Sequence, residues 1–359
     1  MTRWKDVLLE DAIVLGNGKS RPLTNGIYPI YGGNGILGYG DRINYSGETI
    51  IIGRVGAYCG STYYSEQEIW ISDNALSAKN KPGNCAKFLY YFLLNMGLNQ
   101  YAEGSSHPLL THSLLYSLPI TLPENETEQK AIAAVLSSLD DKIDFLHRQN
   151  ATLEAMAEGL FRQWFVVEAK EQWKKHPLSA IAHFLNGLAC QKYPPLNANE
   201  RLPVLKIREL NNGIGQDVDW ASNTVPSQYV VTSGDVIFSW SGSLMVKIWT
   251  GDSCVLNQHL FKVTSEKYQK WFYYFWCRKH LSEFIAISES KATTMGHIKR
   301  GDLDKAEVLV PTENELVKMS ETMQPLLEKI IFNQTKIRTL EKLRDTLLPK
   351  LMTGEIKVV

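Results

Sequence analysis

The sequence has no excess of positive charge. Lysine plus arginine and aspartate plus glutamate each number 38, so the formal net charge is zero. A protein that held nucleic acid alone through many phosphate contacts would be expected to carry a basic surplus. If DNA is the ligand, we therefore expect a partner protein to supply much of the phosphate contact.

Cysteine is scarce and long apolar runs are missing. The five cysteines are odd in number and never have C-x-x-C spacing, which predicts reduced, packed thiols rather than disulfides or zinc ligands. No run reaches the roughly 18 apolar residues that a membrane-spanning helix needs. Nothing at the start of the chain resembles a signal peptide, so we expect a cytosolic protein without a membrane partner.

Signatures of catalysis are also missing. The sequence contains no P-loop, no H-E-x-x-H, no Asp/Asn-Pro-Pro-aromatic tetrapeptide and no clear cluster of nuclease carboxylates. The segment 33–38 fits G-x-G-x-x-G, but residues 39–42 continue as a turn where a dinucleotide site requires a helix. The sequence therefore predicts no catalytic residue, no metal site and no cofactor on this chain.

A long amphipathic helix is predicted from Asn125 to Trp164. Asn125 can cap it, with Glu128 completing a capping box. At about 40 residues the helix would be roughly 60 Å long. Steps of four and three indicate a heptad seam, formed by Ile132, Leu136, Leu139, Ile143, Leu146, Asn150, Leu153, Ala157, Leu160 and Trp164.

A second such helix is predicted at the C-terminus, with a capping box at Thr312 and Glu315. Its seam comprises Met319, Met323, Leu326, Ile330, Asn333, Ile337, Leu340, Arg344, Leu347 and Leu351. A single shift of 187 residues carries Asn125 onto Thr312 and Ile132 onto Met319. The chain is therefore predicted to be a tandem duplication, although two separately packed amphipathic helices remain the alternative.

The duplication extends into the segments that precede the helices. Trp4-Lys5 and Asn17-Gly18 recur as Trp173-Lys174 and Asn186-Gly187. These matches are 169 residues apart, whereas later matches follow the shift of 187 residues found for the helices. The difference places an insertion of about 18 residues in the second copy, near 197–219. The signals in both copies are mostly β, with strands predicted at 49–52, 69–71, 235–238 and 254–256 and packed helices at 85–101 and 268–287.

Polar and aromatic side chains gather in or beside the glycine-rich turns. Arginine and lysine suit guanine edges or phosphates, and asparagine and glutamine suit adenine. For each residue the alternative is a solvated or turn-capping side chain, and for Asn74 and Asn257 a buried one. The candidates are Tyr31, Asn34, Arg42, Arg54, Tyr58, Asn74, Ser105, Ser106 and His107 in the first copy, and Lys206, Arg208, Ser241, Ser243, Lys247, Asn257, Gln258, His259, Lys291, Thr293, Thr294, His297, Lys299 and Arg300 in the second.

Five segments resemble the specificity subunits of type I restriction-modification systems. The segments 28–39, 51–56 and 72–75 resemble their target recognition domain, and 128–143 resembles their central helical region. The segment 343–355, with the sequence LRDTLLPKLMTGE, resembles their distal helical region and is the most specific. The second copy lacks the Tyr-Gly-Gly-Asn-Gly pattern, which implies a different half-target.

The resemblance implies an α+β fold with two mostly-β target recognition domains, 1–123 and 169–311. Helical spacers at 124–168 and 312–359 would pair as an antiparallel coiled coil with pseudo-twofold symmetry. It also implies a non-catalytic subunit that binds double-stranded DNA, two adenine-N6 methyltransferase subunits and restriction subunits. S-adenosylmethionine, ATP and Mg²⁺ would belong to those partners. The alternatives are an adaptor that joins proteins through its coiled coil and binds other ligands on its β domains, and, less favoured, a self-contained nuclease.

Overall fold

A computed structural model describes residues 3–104, 107–290 and 296–358. It divides into two compact units. Unit 1 comprises Met1–Lys142 with Leu340–Val359, and unit 2 comprises Ile143–Thr339. Two long helices each contribute to both units, so each unit contains part of both helices.

Unit 1 is built from short strands, three short helices and the ends of the two long helices. Its strands are β1 Trp4–Leu8, β2 Ile13–Asn17, β3 Asn25–Gly32, β4 Gly35–Gly40, β5 Thr49–Gly53, β6 Thr62–Ser65, β7 Trp70–Ile71, β8 Ala75–Asn80 and β9 Pro119–Pro123. Its helices are α1 Leu9–Ala12, α2 Ala86–Met96, α3 His112–Tyr116 and the start of α4 Glu126–Arg162. The strands form sheets ordered β1-β9, β2-β8-β5-β6 and β4-β3-β7.

Unit 2 repeats this plan with additional elements. Its strands are β10 Lys174–Pro177, β11 His183–Asn186, β12 Arg201–Leu205, β13 Trp220–Ser222, β14 Val230–Val231, β15 Val236–Ser239, β16 Met245–Ile248, β17 Cys254–Leu256, β18 Leu260–Thr264 and β19 Glu307–Val310. Its helices are α5 Leu178–Ile181, α6 Ile207–Asn212, α7 Lys270–Ser290, α8 Arg300–Lys305 and most of α9 Glu313–Met352. The sheets are ordered β10-β19, β11-β18-β15-β16 and β13-β12-β17-β14.

The predicted duplication is visible in the topology. The four-stranded sheets have the same order once β2, β5, β6 and β8 are matched to β11, β15, β16 and β18. In unit 1, β3 pairs antiparallel with β4 and parallel with β7. In unit 2, β12 pairs antiparallel with β13 and parallel with β17. The two units therefore share one frame.

Equivalent glycines hold the same loop in each unit. Gly18 N donates to Ala75 O at 3.2 Å, and Gly187 N donates to Leu260 O at 3.1 Å. A Cβ on Gly18 would lie 1.8 Å from Ser72 O, and one on Gly187 would lie 2.2 Å from Asn257 O. Contacts this short exclude any side chain, so the loops before β8 and β18 pack directly on a glycine.

The core of each unit joins its sheet to its helices. In unit 1, the fully buried Ile50 and Phe88 share one cluster with Leu136 of α4. In unit 2, Trp271 and Trp276 of α7 lie in the main cluster and are 0 and 2 % exposed. Burial of each large apolar side chain contributes about 1.5 to 3 kcal/mol, and the burial of these tryptophans agrees with the packed helix predicted over 268–287.

The predicted secondary structure is confirmed in outline, with one helix shorter than expected. The helix predicted over 85–101 ends at Met96, because Gly97 adopts a left-handed conformation with φ of 61°. The helix α4 ends at Arg162 and is followed by a π-helical turn, Gln163–Val167. Among the described residues, no helix is long and apolar enough to cross a membrane.

The two long helices begin with different caps. Asn125 Oδ1 accepts a hydrogen bond from Thr127 N at 2.8 Å. The predicted contact of Glu128 is not among the hydrogen bonds described, and the buried Gln129 instead donates to Pro123 O at 2.9 Å. At the second cap the predicted contact of Glu315 is present, since Thr312 N donates to Glu315 Oε2 at 3.0 Å. Thr312 Oγ1 donates to the same oxygen at 2.7 Å.

Within each unit, the two long helices run antiparallel. In unit 1, Ile132 and Leu136 share a core cluster with Leu351, whereas the later residue Asp140 accepts a hydrogen bond from Arg344 at 3.0 Å. In unit 2, Asn150 contacts Asn333, and the later Ala157 shares a cluster with Leu327 and Met323. Residues further along α4 therefore contact residues earlier in α9, as in an antiparallel pair.

The side chains predicted to form the seam lie inward. Buried are Ile132, Leu136, Ile143, Leu146, Asn150, Ala157, Met323, Ile330, Asn333, Ile337 and Leu351. Half-buried are Leu139, Leu153, Leu160, Trp164, Met319, Leu326, Leu340, Arg344 and Leu347.

The cysteines are free thiols, as predicted. Cys59, Cys190, Cys254 and Cys277 are buried, and Cys85 is half-buried. Burial raises the pKa of the thiols of Cys59, Cys190, Cys254 and Cys277, which keeps them in the unreactive protonated form.

Candidate nucleic-acid interface

In unit 1, three loops meet beside the turn that joins β3 to β4. This turn consists of Gly33 and Asn34, and it is completed by Gly35 with φ of 78°. A Cβ placed on Gly33 would lie 3.6 Å from Asn74 O and from Tyr58 Cβ. These are ordinary van der Waals distances, so position 33 lies in direct contact with the loops that carry Asn74 and Tyr58.

Backbone hydrogen bonds fix the remaining loops of this cluster. Arg54 N donates to Asn74 O at 2.9 Å, and Gly56 N donates to Pro108 O at 3.1 Å. These bonds bring Asn34, Arg54, Tyr58, Asn74 and His107 onto adjoining loops, which we call the unit 1 loop cluster. Asn34, Tyr58, Asn74 and His107 are exposed and Arg54 is half-buried, so the alternative of a buried Asn74 is wrong.

Two other candidates of the first copy occupy different positions. Tyr31 is half-buried on β3, its ring centroid lies 6.3 Å from that of Tyr63, and burial raises its pKa. Arg42 is exposed beyond the far end of β4, roughly 20 Å along the strand from Asn34. Ser105 and Ser106, with Lys291, Thr293 and Thr294 of the second copy, lie outside the described residues.

In unit 2, the turn between β3 and β4 is replaced by a longer connection that contains α6. This connection, from Lys206 to Asp219, falls within the predicted insertion. A groove of about 730 Å³ lies beside it and is lined by Lys206, Arg208 and Trp220 together with the loop Asn257–His259. Asn257 is 6 % exposed, and its Oδ1 accepts a hydrogen bond from His259 N at 3.3 Å, so it orders that loop.

The cations of this groove are held by acidic or carbonyl partners. Lys206 Nζ forms an ion pair with Asp219, and its hydrogen bond lowers the pKa of that carboxyl group. Arg208 Nε lies 2.7 Å from Glu209 Oε1 and its Nη2 donates to Asp217 O at 2.6 Å. The groove thus presents oriented donors rather than a strong positive field.

Further candidates of the second copy surround Trp240. Ser241 is buried and its Oγ lies 3.1 Å from His259 Nδ1, which places it behind His259. The rings of His259 and His297 have centroids 6.2 and 6.3 Å from that of Trp240. Lys247 Nζ donates to Asn211 Oδ1 at 3.0 Å, which connects β16 to α6.

The remaining candidates lie at the edges of this region. Ser243 is exposed after β15, and Lys299 and Arg300 are exposed where α8 begins. Lys299 N donates to Asp302 Oδ2 at 2.8 Å. Arg300 lines a separate cavity of about 710 Å³ with Ser179, Lys267 and Asp304.

The sequence pattern did not indicate the contact between Arg201 and Trp220. The Arg201 guanidinium lies 4.0 Å from the centroid of the Trp220 ring, which is 38 % exposed at the groove. An exposed aromatic ring with a stacked guanidinium is suited to contact a base or a sugar. The two residues are 19 positions apart, and only the pairing of β12 with β13 brings them together.

The described residues include no group of three or more histidine, cysteine, aspartate or glutamate side chains that could hold a metal ion. The segment that fits G-x-G-x-x-G is the hairpin turn between β3 and β4, where a dinucleotide site would need a strand followed by a helix.

Comparison with known proteins identifies the family. The family model described as "Type I restriction modification DNA specificity domain" matches residues 2–155 and 170–342. The chain belongs to this family. As a type I specificity subunit, it carries the DNA specificity of a restriction-modification system and is not a catalytic subunit. This membership favours the DNA-recognition interpretation over the adaptor and the nuclease.

Individual relatives agree with this assignment. The specificity subunit of the type I restriction enzyme MjaIX from Methanocaldococcus jannaschii is 28% identical over 307 residues, covering 77% of this chain and 71% of the relative. The HindI specificity subunit from Haemophilus influenzae is 20% identical and covers 75% of this chain and 77% of the relative. The crystal structure of a type I S subunit from M. genitalium has a TM-score of 0.72 at 18% identity and covers 98% and 96% of the two chains, which supports the same fold.

Proposed function

We propose that this specificity subunit recognises a bipartite DNA target, with one β-rich domain for each half. The main support for the proposal is that the two units share one arrangement of strands and sheets but carry different loops. The unit 1 loop cluster presents Asn34, Arg54 and Asn74, whereas the equivalent region of unit 2 is a groove with Arg208 and Trp220. Different donors on the same frame support two different half-sites around an unread spacer.

The domain limits belong to this proposal. The target recognition domains would be 1–123 and 169–311, and the helical spacers would be 124–168 and 312–359. Paired helices of this length would set the number of unread base pairs between the half-sites. Insertion of four residues into each helix would lengthen the spacer by about 6 Å, and an unchanged spacer in the methylated target would contradict its role as a ruler.

The base contacts are testable by sequencing methylated DNA from cells that carry this chain and its methyltransferase partner. The double variant Asn34→Ala and Arg54→Ala should relax one half of the methylated motif and leave the other half unchanged. Each lost bidentate base contact corresponds to about 1 to 3 kcal/mol of discrimination. Arg3→Ala is the matched control, because this side chain is 84% exposed and its ion-pair partner, Glu124, is not part of the loop cluster. Relaxation of both halves, or of neither, would contradict the assignment.

Methyltransferase and restriction subunits are the partners that we infer, and the methyltransferase would bring S-adenosylmethionine and perform base flipping. ATP and Mg²⁺ would be bound by the restriction subunits. A neutral chain is compatible with this division, since partners that close around the duplex can supply phosphate contacts. The complex would act in the cytoplasm. The purified chain alone should not methylate DNA when S-adenosylmethionine is added.

The number of methyltransferase subunits is proposed to be two. Phe145 and Phe332 are equivalent under the 187-residue shift, and both are large apolar side chains on outer faces, 48 and 58 % exposed. An apolar contact that occurs twice suits a partner that binds twice. Native mass spectrometry should show one methyltransferase subunit lost with Phe332→Ala and both lost when Phe145→Ala is added. Retention of two subunits by the double variant would exclude this contact.

A further inference from the structure

The helix seam of unit 2 contains one buried polar pair. Asn150 and Asn333 are 6 and 0 % exposed, and Asn333 Nδ2 donates to Asn150 Oδ1 at 2.9 Å. Asn333 Nδ2 also donates to Gln149 Oε1 at 2.8 Å, and Asn150 Nδ2 donates to Ile330 O at 3.3 Å. A buried amide is costly unless it is hydrogen-bonded, and the bond between Asn333 Nδ2 and Asn150 Oδ1 is lost if either asparagine faces an aliphatic side chain.

The symmetry-related position of the seam is apolar. The antiparallel register that places Asn150 opposite Asn333 places Leu146, four residues earlier, opposite Ile337, four residues later. The 187-residue shift carries Leu146 onto Asn333 and Asn150 onto Ile337. The duplication therefore relates an asparagine pair to an aliphatic pair, and the two helices are not interchangeable at this point.

Replacement of either helix by a copy of the other would destroy this match. If a second α4 took the place of α9 in the same register, Asn150 would face Leu146 twice. If a second α9 took the place of α4, Asn333 would face Ile337 twice. In that second arrangement Lys336 would also replace the acceptor Gln149, and a lysine ammonium group cannot accept a hydrogen bond.

Unit 1 contains a second contact with the same asymmetry. Arg344 occupies a seam position of α9 and Asp140 of α4 accepts its hydrogen bond at 3.0 Å. The shift relates Arg344 to Ala157 and Asp140 to Leu327. Pairing of either helix with its own copy would therefore remove this ion pair as well.

We propose that the Asn150–Asn333 pair is a recognition element that makes α4 and α9 select each other and reject a second copy of themselves. One buried asparagine pair is a known means of fixing partner choice and register in coiled coils. Its role is to make α4 pair with α9 and to prevent α4–α4 or α9–α9 pairs between chains, which would bring two copies of the same recognition domain together. The inference does not depend on which bases are recognised.

The experiment uses the full chain, cut once between the two copies. A protease site inserted after Glu168, in an exposed segment, yields two associated fragments of different mass. The fragments are separated in mild denaturant and allowed to reassociate, and native mass spectrometry then distinguishes mixed pairs from self-pairs. The native sequence should return only mixed pairs.

Three variants test whether the asparagines decide the outcome. Asn150→Leu with Asn333→Ile makes both seam positions apolar but leaves the Arg344–Asp140 ion pair in place, so self-pairs should appear but stay fewer than mixed pairs. Leu146→Asn with Ile337→Asn, added to the native asparagines, places an asparagine opposite an asparagine in mixed pairs and in self-pairs. This variant should also allow self-pairs. All four substitutions together move the pair to the related position and should restore mixed pairing with an unchanged number of buried amides.

The outcomes separate the proposal from a general effect of seam polarity. Self-pairs in both the apolar and the four-asparagine variants, with none in the native and transposed sequences, would support it. Self-pairs in the native sequence, or only mixed pairs in all four, would overturn it. The transposed variant keeps the native composition, so its behaviour distinguishes a change of partner from a loss of folding.

Discussion

The two units differ most where their frames are otherwise the same, in the connection after β3 and after β12. In unit 1 this connection is a two-residue turn, Gly33-Asn34, that packs against Gly53. In unit 2 it extends from Lys206 to Asp219 and contains α6. The sheets, the glycines at 18 and 187, and the cores are retained in both. Under the proposed function, a duplicated frame would change the bases that it contacts by changing one connection without rebuilding its core.

We expect the largest effect from substitutions at the two glycines that the units share. In Gly18→Ala the added methyl group would overlap the backbone carbonyl oxygen of Ser72, and in Gly187→Ala it would overlap that of Asn257. We expect each to reduce the free energy of unfolding by about 1 to 3 kcal/mol, measured by denaturant unfolding. Each should also impair recognition of one half-site, because the displaced loop carries Asn74 in unit 1 and His259 in unit 2.

The control for this pair is Gly159→Ala. Gly159 lies within α4, and a Cβ there would meet nothing within 4 Å. Alanine should stabilise the helix by about 0.5 to 1 kcal/mol. If Gly18→Ala were as benign as Gly159→Ala, the close approach of the loop to the glycine would not be needed for the fold.

The shared parts of the two units could be predicted from sequence, because they follow from periodicity. The seam follows from steps of three and four, and the strands β5 and β15 follow from buried β-branched runs after glycine turns. The limits of these elements were right to within a few residues. Where the prediction failed, at Gly97, a local left-handed conformation ended a helix whose apolar pattern continued.

The functional loops could be predicted only as a set of polar residues. Arg42 and Asn34 are eight positions apart, but they lie at opposite ends of β4, and nothing in the residue types distinguishes them. Lys206 was a candidate for phosphate contact, but its ammonium group pairs with Asp219, 13 positions away. Such pairings depend on strand register, which a single sequence does not fix.

A smaller effect is expected from releasing that lysine. Asp219→Asn removes the ion pair with Lys206 and one negative charge from the groove of unit 2. With its partner subunits present, the complex should bind DNA several-fold more tightly and lose affinity more steeply with salt, by about one unit of the log–log slope. Binding is measured by fluorescence anisotropy at several salt concentrations.

A charge removed from unit 1 provides the control for Asp219→Asn in unit 2. Unit 1 has a two-residue turn in place of the connection that carries Asp219. The matched substitution is therefore Asp73→Asn in the exposed loop before β8, which removes a charge without breaking an ion pair described in the structure. Asp73→Asn should change the salt slope less than Asp219→Asn does. Equal slopes would show that net charge, rather than release of Lys206, controls binding.

The smallest effect concerns the caps of the two long helices, which respond differently to pH. Hydrogen bonds from Lys170 and Thr312 lower the pKa of Glu315 to about 2, whereas the neutral amides of Asn125 and Gln129 serve the start of α4. Because the folded-state pKa lies below the ordinary value, the stabilisation is complete above about pH 5 and is lost as pH falls towards 2. Glu315→Gln should remove this dependence.

Hydrogen exchange followed by mass spectrometry can measure the two helix starts in the same sample. Between about pH 5 and pH 3, protection relative to an unfolded reference should fall in peptides near Thr312 and stay constant in peptides near Asn125. With Glu315→Gln, protection near Thr312 should be lower at neutral pH and nearly independent of pH, with thermal stability reduced by at most a few degrees. A parallel loss at both helix starts would mean that acid weakens the whole fold rather than the Glu315 cap, because Asn125 and Gln129 have no proton to gain in this range.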